Sequence, residues 1–97
     1  MTPVTWSPQS IRDVESIRAF IARDSATYAE LVARRIVAAV ERLHVFPECG
    51  RIVPERQDPQ IREIVLTPYR IVYRLRPGTV EIATVFRGSC EFPEFLE

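Results

Sequence analysis

The chain contains no lysine: all 13 basic residues are arginine. It has one histidine, two cysteines and three glycines in 97 residues. Each scarcity closes off a class of chemistry. A Ser–His–Asp or Cys–His arrangement would have to use His44, which lies near the end of a helical stretch, where a cationic ring simply favours the helix dipole. Gly50, Gly78 and Gly88 are isolated, so there is no glycine-rich loop to cradle phosphates. Cys49, Cys90 and His44 are too few and too scattered for the roughly four ligands of a structural zinc site. No metal or cofactor is expected. No run approaches the ~18 apolar residues of a membrane-spanning helix. Residues 1–4 carry no basic n-region and no apolar h-region, so no secretory signal is read. A cytoplasmic protein with no membrane partner and free thiols is the expectation.

What is present describes one folded unit. Hydrophobic residues make up 46% and charged residues 27%, as in ordinary globular domains. A chain of this length buries roughly 60–68% of its unfolded surface, enough for one modest core. Residues 1–97 read as a single domain, with 88–97 as an acidic tail. The net charge is zero but unevenly placed. Residues 61–90 hold five Arg and two Glu, a local +3, whereas 91–97 hold three Glu. Arginine-only usage also follows from GC-rich coding, so it is no functional signal by itself.

Hydrophobic spacing sets the elements. Val4, Thr5 and Trp6 read as a short strand. Ser7 and Pro8 form an N-cap followed by Pro at N1. Ile11, Val14, Ile17, Phe20 and Ile21 then recur at helical spacing, predicting a helix over 8–23. Ser25 caps a second helix with an apolar stripe of Tyr28, Leu31, Val32, Ile36, Ala39, Val40 and Leu43. The short linker makes the two helices an antiparallel hairpin. Residues 47–60 hold three Pro and one Gly and read as an irregular loop. Strands follow over 62–66, 69–76 and 79–86, with turns at Thr67-Pro68 and Pro77-Gly78.

Alternation orients this meander. Tyr69, Ile71, Tyr73 and Leu75 point one way; Arg70, Val72, Arg74 and Arg76 point the other. A two-residue loop at Pro77-Gly78 pairs Tyr73 with Ile82, Leu75 with Val80 and Arg74 with Glu81. The fold class expected is α+β: a two-helix hairpin on a small twisted antiparallel sheet. The arginine face is expected to be exposed, with Arg87 at the same rim. On that reading Arg70→Ala spares folding, whereas Tyr73→Ala costs ~3–5 kcal/mol. Guanidinium groups bind phosphate bidentately, and nearby Tyr and Phe can stack on bases. The simpler alternative is a solvated face whose charges pair with Glu63, Glu81 and the tail. Two acid pairs, Asp13/Glu15 and Glu91/Glu94, are better explained as solvated surface than as a glycosidase pair.

Five segments, in order, carry a resemblance. They are Trp6-Ser7-Pro8 with Asp13 and Ile17; Phe46-Pro47-Glu48-Cys49-Gly50-Arg51 with Val53-Pro54-Glu55; Ile61-Arg62-Glu63-Ile64; Tyr69-Arg70-Ile71-Val72-Tyr73-Arg74; and Val85-Phe86-Arg87-Gly88. Together they resemble the RelE/ParE superfamily of toxins from type II toxin–antitoxin modules, closer to ParE. The resemblance implies a toxin neutralised by a cognate antitoxin in a hetero-oligomer. RelE-like members are ribosome-dependent endoribonucleases cutting mRNA; ParE-like members block DNA gyrase by protein contact. Arg70 matches the strand arginine of the ribonuclease set, and Arg87 stands where many relatives carry a histidine base, so the set is depleted to Arg70 and Arg87. The lysines have no counterpart, Gly88-Ser89 replaces a second Arg, and Phe92 and Phe95 stand where a tail Tyr would. An arginine is a poor general base. A gyrase inhibitor is therefore expected, with a RelE-type ribonuclease or an inactive member as alternatives. Arg62, Arg70, Arg74, Arg76 and Arg87 are the candidate contacts to target or antitoxin.

Overall fold

Both helices begin at a capping serine. In the computed structural model, which describes residues 1–94, the N–H of Ser10 donates to Ser7 Oγ at 3.0 Å and that of Tyr28 to Ser25 Oγ at 3.1 Å. These caps satisfy N–H groups that the first helical turn leaves without partners. The elements are β1 (Val4–Trp6), α1 (Pro8–Ala22), α2 (Ala26–Glu41), a 3₁₀ turn (Arg42–His44), β2 (Arg51–Ile52), β3 (Ile61–Leu66), β4 (Tyr69–Arg76) and β5 (Thr79–Arg87). The sheet order is β1-β5-β4-β3-β2. The α+β hairpin-on-sheet architecture is as expected, but the sheet is mixed, because β1 pairs with β5 in parallel. Two residues of β2 also emerge from the segment read as an irregular loop, pairing Arg51 with Glu63 and Ile52 with Arg62.

The helix stripe is buried where it meets the sheet. Val32, Ile36, Ala39, Val40 and Leu43 pack with Tyr69, Ile71, Tyr73, Val80, Ile82 and Val85. Tyr28 and Leu31, which begin the stripe, stay 50% and 42% exposed. Tyr73 is fully buried, and its hydroxyl accepts the Gly50 N–H at 2.9 Å. A Cβ on Gly50 would lie 2.6 Å from the Glu63 carbonyl oxygen and 2.6 Å from the Tyr73 hydroxyl, so only glycine fits where this loop crosses the sheet.

The β4–β5 hairpin departs from strict alternation at one point. Tyr73↔Ile82, Arg74↔Glu81 and Leu75↔Val80 pair as expected, but Val72 lies opposite Thr84 and Ile71 opposite Val85. Ala83 is the extra residue of a β-bulge, and a bulge switches the facing of everything beyond it. The first turns of α1 take up the polar groups around it. Ser7 Oγ donates to the Ala83 carbonyl at 2.8 Å, and the Ser7 N–H to that of Ile82 at 2.9 Å. Asp13 Oδ2 accepts the Val85 N–H at 3.0 Å and the Thr84 hydroxyl at 2.6 Å. Asp13 is thus a tie between helix and sheet rather than part of a solvated acid pair.

The second face of the sheet is covered, not open. Val72 is fully buried there with Val53 and Ile61, and Phe86 and Phe92 pack against them. The 53–60 loop and the start of the tail supply the cover. Phe92, at the start of the tail, is part of that cover, while Phe95 lies outside the described residues.

Candidate functional site

Strand alternation places Glu63, Val65, Arg70, Val72 and Arg74 on the second face, and there an ion-paired cluster forms around Arg70. The Arg70 Nε–H donates to Glu63 Oε1 at 2.6 Å. Its Nη1 and Nη2 donate to the two Glu55 oxygens at 2.9 and 2.8 Å, a bidentate fork. The other Glu63 oxygen accepts from Arg51 Nε at 2.6 Å. The Glu63 side chain is wholly buried and that of Arg70 only 12% exposed. The Arg70 guanidinium also lies 5.3 Å from the Phe86 ring centroid and 5.4 Å from that of Phe92. Those two rings meet edge to face at 5.6 Å.

Electrostatics follow the geometry. The hydrogen bonds from Arg70 hold the Glu55 carboxyl down at about 2, and those from Glu55 raise Arg70 above its ordinary value. On the other face, burial pushes the Tyr73 hydroxyl up to about 12.

The five arginines do not form one array. Arg62 lies opposite Tyr73 and is spent on loop carbonyls: Nε–H on Pro59 at 3.1 Å, and Nη1 on Gly50 at 3.2 Å and Glu48 at 3.3 Å. Arg74 is buried rather than exposed. Arg76 is exposed and forms the ion pair with Glu81, at 3.4 Å, that alternation assigned to Arg74. Arg87 leaves the expected rim. The bulge turns it to the face of Tyr69, 5.9 Å from that ring, and brings Phe86 beside Arg70 instead. Glu55 and Phe86 are the cluster members that sequence reasoning missed, and Glu63, read there as a partner on a solvated face, is buried. The signal for Glu63 lay in its position between Ile61 and Val65 on one strand face, where an acid is buried only if paired.

The cluster can brace; the chemistry of hydrolysis is poorly served. RNA cleavage needs a group to take a proton from the 2′-hydroxyl. Around Arg70 stand one carboxylate held low by a guanidinium, one locked between two guanidiniums, and two phenyl rings. Among the described residues, no group of three or more His, Cys, Asp and Glu could hold a metal, and no helix is long and apolar enough to cross a membrane. Both cysteines are free thiols.

An α+β domain with a two-helix hairpin on this five-stranded sheet defines a known class. A chain titled as the chromosomal ParDE toxin–antitoxin system of P. aeruginosa superposes with a TM-score of 0.75 at 20% identity, over 90% of this chain and 96% of that one. The family profile described as ParE toxin of the type II toxin–antitoxin system, parDE, matches residues 4–92. The Sinorhizobium fredii protein Y4kP, assigned as a toxin, is 36% identical over 95 residues, covering 96% of this chain and 95% of its own. Toxin RelE2 of Caulobacter vibrioides is 31% identical over 86 residues, covering 88% and 93%. The chain belongs to the ParE toxin family of type II toxin–antitoxin systems, within the RelE/ParE superfamily.

Proposed function

We propose that this toxin inhibits DNA gyrase in the cytoplasm by protein–protein contact and is neutralised by a cognate antitoxin in a hetero-oligomer. The observation that carries this reading is the engagement of Arg70. Ribonucleases of the superfamily use an arginine at this strand position. Here its Nε, Nη1 and Nη2 all donate to carboxylates, and the side chain is largely buried. A phosphate would have to displace Glu55 and then find no proton acceptor beside it. The ParE family assignment supports the toxin–antitoxin part of the reading. Of the five candidate arginines, Arg76 and Arg87 remain exposed and are assigned to partner contacts. Arg62, Arg70 and Arg74 hold the fold.

Supercoiling by purified gyrase tests the proposal. Stalled supercoiling at toxin excess, reversed by the antitoxin encoded beside this gene, is expected. Full supercoiling at toxin excess, with ribosome-dependent mRNA cleavage in a translation extract, would replace it with the ribonuclease reading.

A further inference from the structure

The two acids on Arg70 are held very differently. The Glu63 side chain is wholly buried on β3, and the Nε–H groups of Arg70 and Arg51 each donate to it at 2.6 Å. Glu55 sits on the covering loop, its side chain 43% exposed. That loop is pinned at both ends. The Val53 N–H donates to the Ile61 carbonyl at 3.1 Å, and the Ile61 N–H to that of Asp58 at 2.9 Å. Between the pins Gln57 takes a φ of 51°, a left-handed conformation that costs a non-glycine residue some strain. The Glu55 side chain can turn to solvent without moving either pin.

What that turn leaves behind is a prepared site. Arg70 Nε stays on Glu63, and the Phe86 and Phe92 rings still flank the guanidinium, so Nη1 and Nη2 remain aimed at the place of the Glu55 carboxylate. Arg51 and Arg70 then face a single buried carboxylate, an excess of one positive charge. The site opens on a groove of about 410 Å³, in which Glu55 is the sole acid among the described residues and Arg51 the one further cation. The rim selects the occupant. Pro54 and Pro68 are exposed there, and Val65 is 50% exposed. A nucleic-acid strand brings a phosphate at every nucleotide and calls for a row of cations. An aspartate or glutamate on a protein surface brings one charge among apolar neighbours, and its planar carboxylate fits the guanidinium fork.

We infer that the Arg70 fork is a docking site for an acidic side chain of the target protein, and that Glu55 fills it until that side chain takes its place. The exchange swaps one carboxylate for another, so no charge is left buried and unpaired. Glu55 acts as a built-in competitor: the apparent affinity for the target falls with the fraction of molecules whose fork is filled from within. The inference rests on the gyrase reading above and adds a contact residue and the contact that restrains it. Arg70 then has two duties, with Nε bracing Glu63 and the two Nη groups offered to the partner.

Supercoiling by purified gyrase and melting in acetate test it together. Glu55→Ala should inhibit supercoiling at a roughly tenfold lower concentration than the wild type. Glu55→Gln, which keeps the bulk of the side chain, should shift it the same way and covers the case in which the alanine variant misfolds. Sodium acetate, set against sodium chloride at equal ionic strength, should raise the melting temperature of Glu55→Ala by roughly 2 °C near its dissociation constant and leave the wild type unmoved. Acetate that stabilises neither protein, or variants that inhibit no better than an inhibitory wild type, would overturn the inference. A single-stranded oligonucleotide that stabilises Glu55→Ala where acetate does not would assign the fork to phosphate instead. If wild type and variants all leave supercoiling untouched, the gyrase reading fails, and the acetate result alone decides whether the fork accepts an outside carboxylate.

Discussion

The two faces of this sheet are buried by different means. On the helix side, apolar packing does the work around a fully buried Tyr73. On the far side, a small apolar patch of Val53, Ile61 and Val72 is extended by charges that neutralise one another and by rings stacked on Arg70. Apolar contacts tolerate loss of a neighbour by partial relaxation, whereas a buried charge that loses its partner has no such recourse. The same length of sheet thus carries one face that is mechanically ordinary and one whose stability depends on every partner being present.

Substitutions can break this comparison. Tyr73→Ala should have the largest effect, ~3–5 kcal/mol in chemical denaturation, from a cavity in the main core and the lost partner of Gly50. Arg70→Ala should approach it at ~3 kcal/mol, because the fully buried Glu63 carboxylate would lose one of its two guanidiniums. Asp13→Ala should cost ~1–3 kcal/mol by leaving the Val85 N–H and Thr84 hydroxyl without their acceptor.

A pH titration should show the smallest effect. Glu55 has its folded value depressed from 4.5 to about 2, so its contribution is present above 4.5 and lost as pH falls toward 2. Thermal melts over that window should fall more steeply for the wild type than for Glu55→Gln, while above pH 5 the variant should be the less stable. The Glu55 side chain is 43% exposed, so solvent screening keeps the difference modest.

Much of this fold was legible in the sequence. Ser7, Pro8 and Ser25 mark the helix starts, and the 3.6-residue spacing marks their buried side. Pro77-Gly78 marks the hairpin and fixes its register as far as Tyr73↔Ile82. Past that point a period of two misleads, because alternation carries no information about an inserted residue. The clue to the bulge sat elsewhere in the chain, in Ser7 and Asp13, about 70 residues from the groups they bind. This one insertion accounts for the misplacement of Arg87 and for the unexpected approach of Phe86 to Arg70. β2 was hidden for a different reason. Two residues in a proline-rich stretch have no periodicity, and they are held beside β3 by contacts distant in sequence: the close approach of Gly50 to Tyr73, the Arg51–Glu63 ion pair and the Val53 N–H on the Ile61 carbonyl.

The candidate site was legible in composition but not in role. Five arginines near the sheet suggested a surface, and their partners turned three of them inward. Carboxylates near a guanidinium can mean a solvated face or a buried brace, and sequence spacing does not separate the two. Burial does: Glu63 lies between Ile61 and Val65 on one side of β3, with Val72 opposite it, in a position water does not reach.

Urea unfolding of Arg70→Ala beside the wild type tests the brace most directly. With a slope of ~1.5 kcal/mol per molar, typical of a domain this small, the expected loss lowers the midpoint by about 2 M. An unchanged midpoint would contradict the account. Coupled with lost toxicity, it would restore Arg70 as a surface residue that acts on the target.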